Sequence, residues 1–186
     1  MSDFYSTQEL LDFGFESVGR DVRISRLCKI YSIKGFVGDG TRIDDYTMLK
    51  GHIEIGRKVH ICSHCSLSGV GGKITIGDLC GIGVNNIFYT ASDDLLQSAL
   101  CGPLVDDSAL SQKLGPIELN TGVALGGRVT IMPNTKVGEF SAFGISAILS
   151  GQYDKNSVYM VIKGSLKKIA SRDGEKLLRM AKRELD

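Results

Sequence analysis

From Leu119 to Leu149 an aliphatic or aromatic residue returns every six positions, at Leu119, Leu125, Ile131, Val137, Phe143 and Leu149, and glycine follows at once at 126, 138 and 144. An amphipathic helix repeats near 3.6 residues and a half-buried strand near 2, so the beat fits neither. It predicts a solenoid in which each hexad is one short strand plus a corner. Three hexads make a triangular coil of about eighteen residues, and successive coils pair as parallel strands roughly 4.8 Å apart.

The same beat runs upstream through Val18, Ile24 and Ile30, then, after one extra residue, through Val37, Ile43, Leu49, Ile55, Ile61 and Leu67. After three further extra residues within 68–73 it resumes at Ile76, Ile82 and Phe88. The position four residues on from the beat holds Val22, Cys28, Thr41, Thr47, Ile53, Val59, Cys65, Cys80, Val129, Thr135, Ser141 and Ala147. These small or β-branched side chains suit a crowded inward corner. The residue just after the beat is often glycine or small and polar, as a corner with unusual dihedrals requires.

The two ends and one interior stretch fall outside the beat. Ser6-Thr7-Gln8-Glu9 places Glu three residues after a Ser N-cap and predicts a short helix over the first coil. Leu177, Leu178, Met180, Ala181 and Leu185 among Lys, Arg and Glu predict an amphipathic C-terminal helix, expected to cap the other end. Residues 91–115 keep no hexad and read as a loop projecting from one corner, where recognition is to be sought. The chain thus reads as one all-β domain: a helical cap over 1–17, a first repeat block over 18–90, the loop over 91–115, a second block over 116–153, and a tail with its helix over 154–186.

Composition narrows the partners. A formal charge of +1 over 186 residues favours neither nucleic acid nor an anionic membrane surface. No apolar run is long enough to span a bilayer, and Met1-Ser2-Asp3-Phe4 lacks a signal-peptide profile, so a cytoplasmic location without membrane insertion is expected. Five cysteines, Cys28, Cys62, Cys65, Cys80 and Cys101, show no disulfide-framework spacing and read as reduced thiols.

The hexads, the segment Ile87-Phe88-Tyr89-Thr90-Ala91-Ser92-Asp93-Asp94 opening the loop, Gly115-Pro116 closing it, and Val123-Ala124-Leu125-Gly126 with Val137-Gly138-Glu139 resemble the left-handed β-helix acyltransferases. Over about residues 18–170 the chain is most similar to the sugar O- and N-acetyltransferases that include galactoside and maltose O-acetyltransferases and enzymes of O-antigen or capsule assembly. The resemblance implies a left-handed coil, a homotrimer, acetyl-CoA as donor and a sugar or nucleotide-sugar acceptor. The alternatives are a non-sugar acceptor, such as an amino acid or antibiotic, and a non-catalytic trimeric scaffold.

Acyl transfer from a thioester needs a base near the acceptor proton and donors for the developing oxyanion. His52 and His64 lie three residues after the beat and His60 five, so all three histidines project outward. The stretch around His60 is similar to the one preceding the loop in this family, which makes His60 the leading base candidate. Galactoside-type enzymes place their catalytic histidine at the start of the loop, whereas Thr90-Ala91-Ser92-Asp93-Asp94 has none. Asp93 or Asp94 then orients the acceptor or takes a proton, or an amino sugar enters already deprotonated. His64, Asn85, Asn86 and Tyr89 are the expected acceptor contacts. Gly126, Gly127, Gly144 and Ser146 match the family's coenzyme A groove by position, with Lys167 and Lys168 as phosphate contacts. The group His60, Cys62, His64 and Cys65 carries metal-ligand chemistry, but strand alternation sends neighbours apart, and no metal is expected.

Overall fold

The computed structural model describes residues 3–102 and 104–186 and is a parallel β-solenoid of about seven turns. The first face stacks Ser17–Val18, Phe36–Val37, the C-terminal ends of Met48–Ile55 and Ser66–Ile76, then Ile117–Leu119, Thr135–Val137 and Gln152–Tyr153. The second stacks Arg23–Ile24, Arg42–Ile43, His60–Ile61, Gly81–Ile82, Ala124–Leu125, Ala142–Phe143 and Ser157–Ile162. The third runs from Lys29–Lys34 through the N-terminal ends of Met48–Ile55 and Ser66–Ile76 to Ile87–Tyr89, Thr130–Ile131 and Ile148–Leu149. Every ladder between successive turns is parallel, as the six-residue period predicts.

The beat fills the interior. Ile24, Ile43, Leu49, Ile55, Ile61, Leu67, Phe88, Ile131, Val137 and Leu149 are all at most 0 % exposed. The position four residues on from the beat does more than fit a tight corner. Cys28 donates its thiol to the Asp44 carbonyl, Thr41 to Gly56, Thr47 to Cys62, Cys65 to Gly83, Cys80 to Asn120 and Ser141 to Asp154. Each of these six side chains satisfies a main-chain carbonyl at the corner, while Val22, Ile53, Val59, Val129 and Ala147 fill the same position with apolar groups. Burial pushes the Cys65 thiol up to about 11 and Cys80 up to about 12, so both remain neutral donors.

Both slips in the beat are structural. The extra residue after Ile30 is a bulge between Tyr31 and Ile33, with Ser32 at φ 49°. The three extra residues interrupt the register between Gly51 and His52, where Gly51 pairs Gly69 and His52 pairs Lys73. This insertion lies under the base of the projecting loop. A Cβ on Gly72 would stand 2.7 Å from the Gly115 carbonyl oxygen and 2.9 Å from Thr90 Cβ. The missing side chain therefore lets both ends of the loop close over the insertion.

The loop is itself ordered as Ala91–Asp93 pairing antiparallel with Gln112–Leu114, a ribbon that the absence of hexads did not foretell. Thr90 donates to the carbonyls of Ser68 and Val70, and Asn134 to that of Leu114, fixing the ribbon at both roots.

Helix α1, Thr7–Asp12, has the expected capping box between Ser6 and Glu9 and buries Leu10 over the first coil. Helix α2, Gly174–Leu185, does not cap the far end. The strand Ser157–Ile162 is closed instead by an antiparallel partner, Ser165–Ser171, turning at Lys163 and Gly164. α2 then runs back along the corner between the first and second faces. Arg172 donates both its main-chain N–H to Asn156 and its guanidinium to Phe140, Ala181 is buried, and Lys58 Nζ reaches the carbonyl and carboxylate of Glu184. Twelve residues at about 1.5 Å each span roughly 18 Å, close to four inter-coil steps of about 4.8 Å. Its apolar stripe therefore covers the side of the solenoid, from the coil of Asn156 to that of Lys58.

Candidate active site

The sequence-predicted residues fall into three neighbourhoods. Where the loop leaves the third face, Tyr89, Ala91, Ser92, Asp93, Gln112 and Met132 line an open cleft of about 340 Å³. Gln112 Nε2 donates to Asp93 Oδ1 at 3.1 Å across the ribbon. The Asp93 carboxylate, followed by burial, pushes the neighbouring Cys101 thiol up. Asp94 faces another way. Burial pushes its carboxyl up, but the Leu96 amide and Lys113, 3.2 Å away, outweigh this and hold it below the usual carboxylate range. Asp93 belongs to the cleft, and Asp94 pins the loop.

The second neighbourhood is the corner between the second and third faces. Tyr46, His64, Asn85, Arg128 and Ser146 occupy it in successive coils, each with φ between 59° and 61°. Main-chain bonds join them in a ladder: His64 to Asp45, Asn85 to Ser63, Arg128 to Val84 and Ser146 to Gly127. The repeated left-handed conformation turns all five side chains outward along one edge. Tyr46 and His64 stack with ring centroids 5.0 Å apart. Gly126 and Gly144 stand beside this column, where a Cβ on Gly126 would lie 2.9 Å from the Ile145 nitrogen. Coil stacking thus accounts for Gly126 without any ligand. The next strand continues the line, since Gly144 donates to Tyr159, and Met160 pairs with Lys167. Lys168 instead approaches Asp154 at 3.5 Å. The column and the loop cleft flank the third face, separated by the residues 85–89, about 13 Å of extended chain.

Asn86 lies in neither neighbourhood. It is 0 % exposed and occupies the inward corner of its hexad. Its amide donates to the carbonyls of Gly83 and Gly126, and its oxygen accepts from the Val129 N–H. The expected sugar contact is therefore replaced by a structural role, because every polar atom of the side chain is committed to main chain.

His60 stands on the second face, where its Nε2 is 2.8 Å from Asp44 Oδ2 while Arg42 Nε donates to Asp44 Oδ1 at 2.7 Å. Burial pushes Asp44 up, but the hydrogen bonds from Arg42 and His60 outweigh it and hold the carboxyl below the usual range. No hydrogen bond or ion pair links His60 to the loop aspartates among the described residues. The four-residue group weighed for metal chemistry is dispersed: Cys65 is buried against the Gly83 carbonyl, and His64 stacks on Tyr46. Cys62 remains beside His60, joined there by Asp44.

Compared with solved structures, the chain is 32% identical to a single-site mutant of AntD, an N-acyltransferase from Bacillus cereus, crystallised with dTDP-4-amino-4,6-dideoxyglucose and coenzyme A, over 100% of this chain and 98% of that one, with a TM-score of 0.87. A second AntD structure, with dTDP and 3-hydroxybutyryl-CoA, gives 33% identity over 100% and 97%, and a TM-score of 0.88. The chain belongs to the left-handed β-helix acyltransferases. A hexapeptide-repeat acetyltransferase from Vibrio cholerae O1 biovar eltor, with acetyl-CoA, shares the fold at 20% identity, covering 89% of this acyltransferase and 73% of that chain, with a TM-score of 0.50. No family model and no curated protein matches the sequence.

Three residues of this acyltransferase escaped the sequence reading. Arg128 is an exposed cation in the column between Asn85 and Ser146. Gln112 meets Asp93 only because the loop forms a ribbon. Asp44 was legible through the period: Arg42 pairs with His60 eighteen residues on (60 − 42 = 18), so Asp44 lies one coil from Cys62 (62 − 44 = 18).

Proposed function

We propose that this acyltransferase moves an acyl group from acyl-CoA to the amine of a nucleotide-linked amino sugar. The observation that carries the reading is the end-to-end match to AntD, which was crystallised with such a sugar and coenzyme A. The acceptor's amine enters the loop cleft beside Tyr89 and Asp93, and the donor's pantetheine lies along the corner column of Asn85, Gly127 and Ser146, with Lys167 toward its phosphates. The amine attacks the thioester carbonyl, the carbon–sulfur bond breaks, and the coenzyme A thiolate leaves. The proton lost by nitrogen passes to Asp93, a carboxylate in the cleft held by Gln112.

Asp93 is favoured over His60 as base because the histidine is engaged with Asp44 on another face. Asp94, paired to Lys113, orients the loop. The exposed apolar residues Val84, Ile145 and Ile148 beside the column support a homotrimer in which each donor groove is completed by a neighbour. No described helix is long and apolar enough to cross a membrane, and the five free cysteines fit a reducing cytoplasm. An acylated nucleotide sugar is a precursor for surface polysaccharide, the role we assign. Coenzyme A release should be measured against dTDP-linked amino sugars, the corresponding hydroxyl sugars and free glycosides. Turnover with the amino sugars is expected; release confined to unlinked glycosides or to hydroxyl acceptors would overturn the proposal.

A further inference from the structure

We infer that Asp44, His60 and Cys62 form a binding site for a divalent transition-metal ion, with zinc the best chemical match. One donor atom from each lies within 4.8 Å of the others. Tetrahedral zinc, with bonds of about 2.3 Å to sulfur and about 2.0 Å to nitrogen and oxygen, places its ligand atoms roughly 3.3–3.8 Å apart, so a small contraction suffices. The backbone supplies the convergence. His60 and Cys62 flank Ile61 at the end of the strand His60–Ile61, on one outward side, and Asp44 stands one coil away at the position equivalent to Cys62. Behind them Ile43 and Ile61 are fully buried, so the floor of the site is rigid.

The three ligands are also chemically suited to the ion. Arg42 holds Asp44 Oδ1, leaving Oδ2 directed at His60, the arrangement in which a second residue orients a ligating carboxylate. Bound as a carboxylate and a thiolate, with the Cys62 thiol proton lost to solvent, Asp44 and Cys62 would neutralise the 2+ charge. His60 would bind through Nε2 and carry its proton on Nδ1. The coil on the other side places Gly81 opposite His60, and a Cβ there would meet nothing within 4 Å. That gap leaves room for a fourth ligand, water or an exogenous group. The site stands independently of the acceptor reading, and its test does not read activity.

Cobalt(II) should be titrated into the full-length protein with Cys101 replaced by Ser, since Cys101 is an exposed thiol, in a reductant that contains no sulfur. A thiolate-to-cobalt charge-transfer band with the intense visible bands of a tetrahedral ion, saturating at one ion per chain and displaced by zinc, is the expected result. Cys62→Ser should abolish the charge-transfer band. Asp44→Asn and His60→Ala should weaken binding at least tenfold, and Arg42→Ala by about tenfold to a hundredfold. A missing band, or one that survives Cys62→Ser in a folded chain, would overturn the assignment. Should Cys62→Ser fail to fold, the decision passes to His60→Ala, where unchanged cobalt affinity overturns the site.

Discussion

Asn86→Ala separates a structural asparagine from a substrate-binding one. The amide donates to Gly83 at 2.8 Å and Gly126 at 3.0 Å, and accepts from the Val129 N–H at 2.5 Å. Gly83 keeps a partner after truncation, because the Cys65 thiol also donates to it. The Gly126 carbonyl and the Val129 N–H lose theirs. Leaving a buried backbone group unpaired costs about 1–3 kcal/mol, so the two together cost about 2–6 kcal/mol. At about 2–4 °C per kcal/mol for a chain of this size, the midpoint should fall on the order of 10 °C. The assay is thermal unfolding followed by circular dichroism at one fixed protein concentration, because assembly makes Tm concentration-dependent. Asn85→Gly, which keeps the left-handed corner and changes an exposed residue, serves as the control and should move by no more than a few degrees. An Asn86→Ala protein that melts with the wild type but shows a raised acceptor KM would refute the reasoning.

Asp93→Asn should lower kcat with an amino-sugar acceptor by about a hundredfold or more, whereas Asn in place of a mere hydrogen-bonding Asp would change KM with kcat preserved. Gly72→Ala pushes a methyl into the Gly115 carbonyl and Thr90; it should displace the loop root, raising acceptor KM while leaving coenzyme A affinity, by calorimetry, near wild type. Asp44 has a depressed pKa in the fold, so its contribution to stability is complete above the unfolded value near 3.9 and fades as pH falls through the folded one. Arg42→Ala should therefore lower the urea midpoint more at neutral pH than near pH 2, and only slightly, because solvent screens this half-exposed pair. Equal losses at both pH values would show that the pair contributes no linkage.

The periodic part of the molecule was legible because a solenoid repeats one steric demand. Leu119 to Leu149 point inward at six-residue intervals as read, and even the one- and three-residue slips fall at a bulge and at an insertion. What resisted reading was long-range or non-periodic. The loop ribbon depends on pairing Ser92 with Lys113, and the path of α2 depends on Lys58 meeting Glu184, contacts that leave no local period. Asn86 was misread for a different reason: asparagine at an inward corner looks like a polar site residue until its backbone partners are visible. Asp44 precedes Cys62 by one coil of eighteen residues, so the same period that stacks the inward positions also stacks these two outward ones.

The central claim is acyl transfer to an amine held in the loop cleft. Its most direct measurement is the rate of coenzyme A release with a dTDP-linked amino sugar against its hydroxyl counterpart, in the wild type, Asp93→Asn and His60→Ala. The account predicts turnover with the amine, little with the hydroxyl, a drop of about a hundredfold or more for Asp93→Asn and near-normal rates for His60→Ala. Full activity in Asp93→Asn together with its loss in His60→Ala would contradict it.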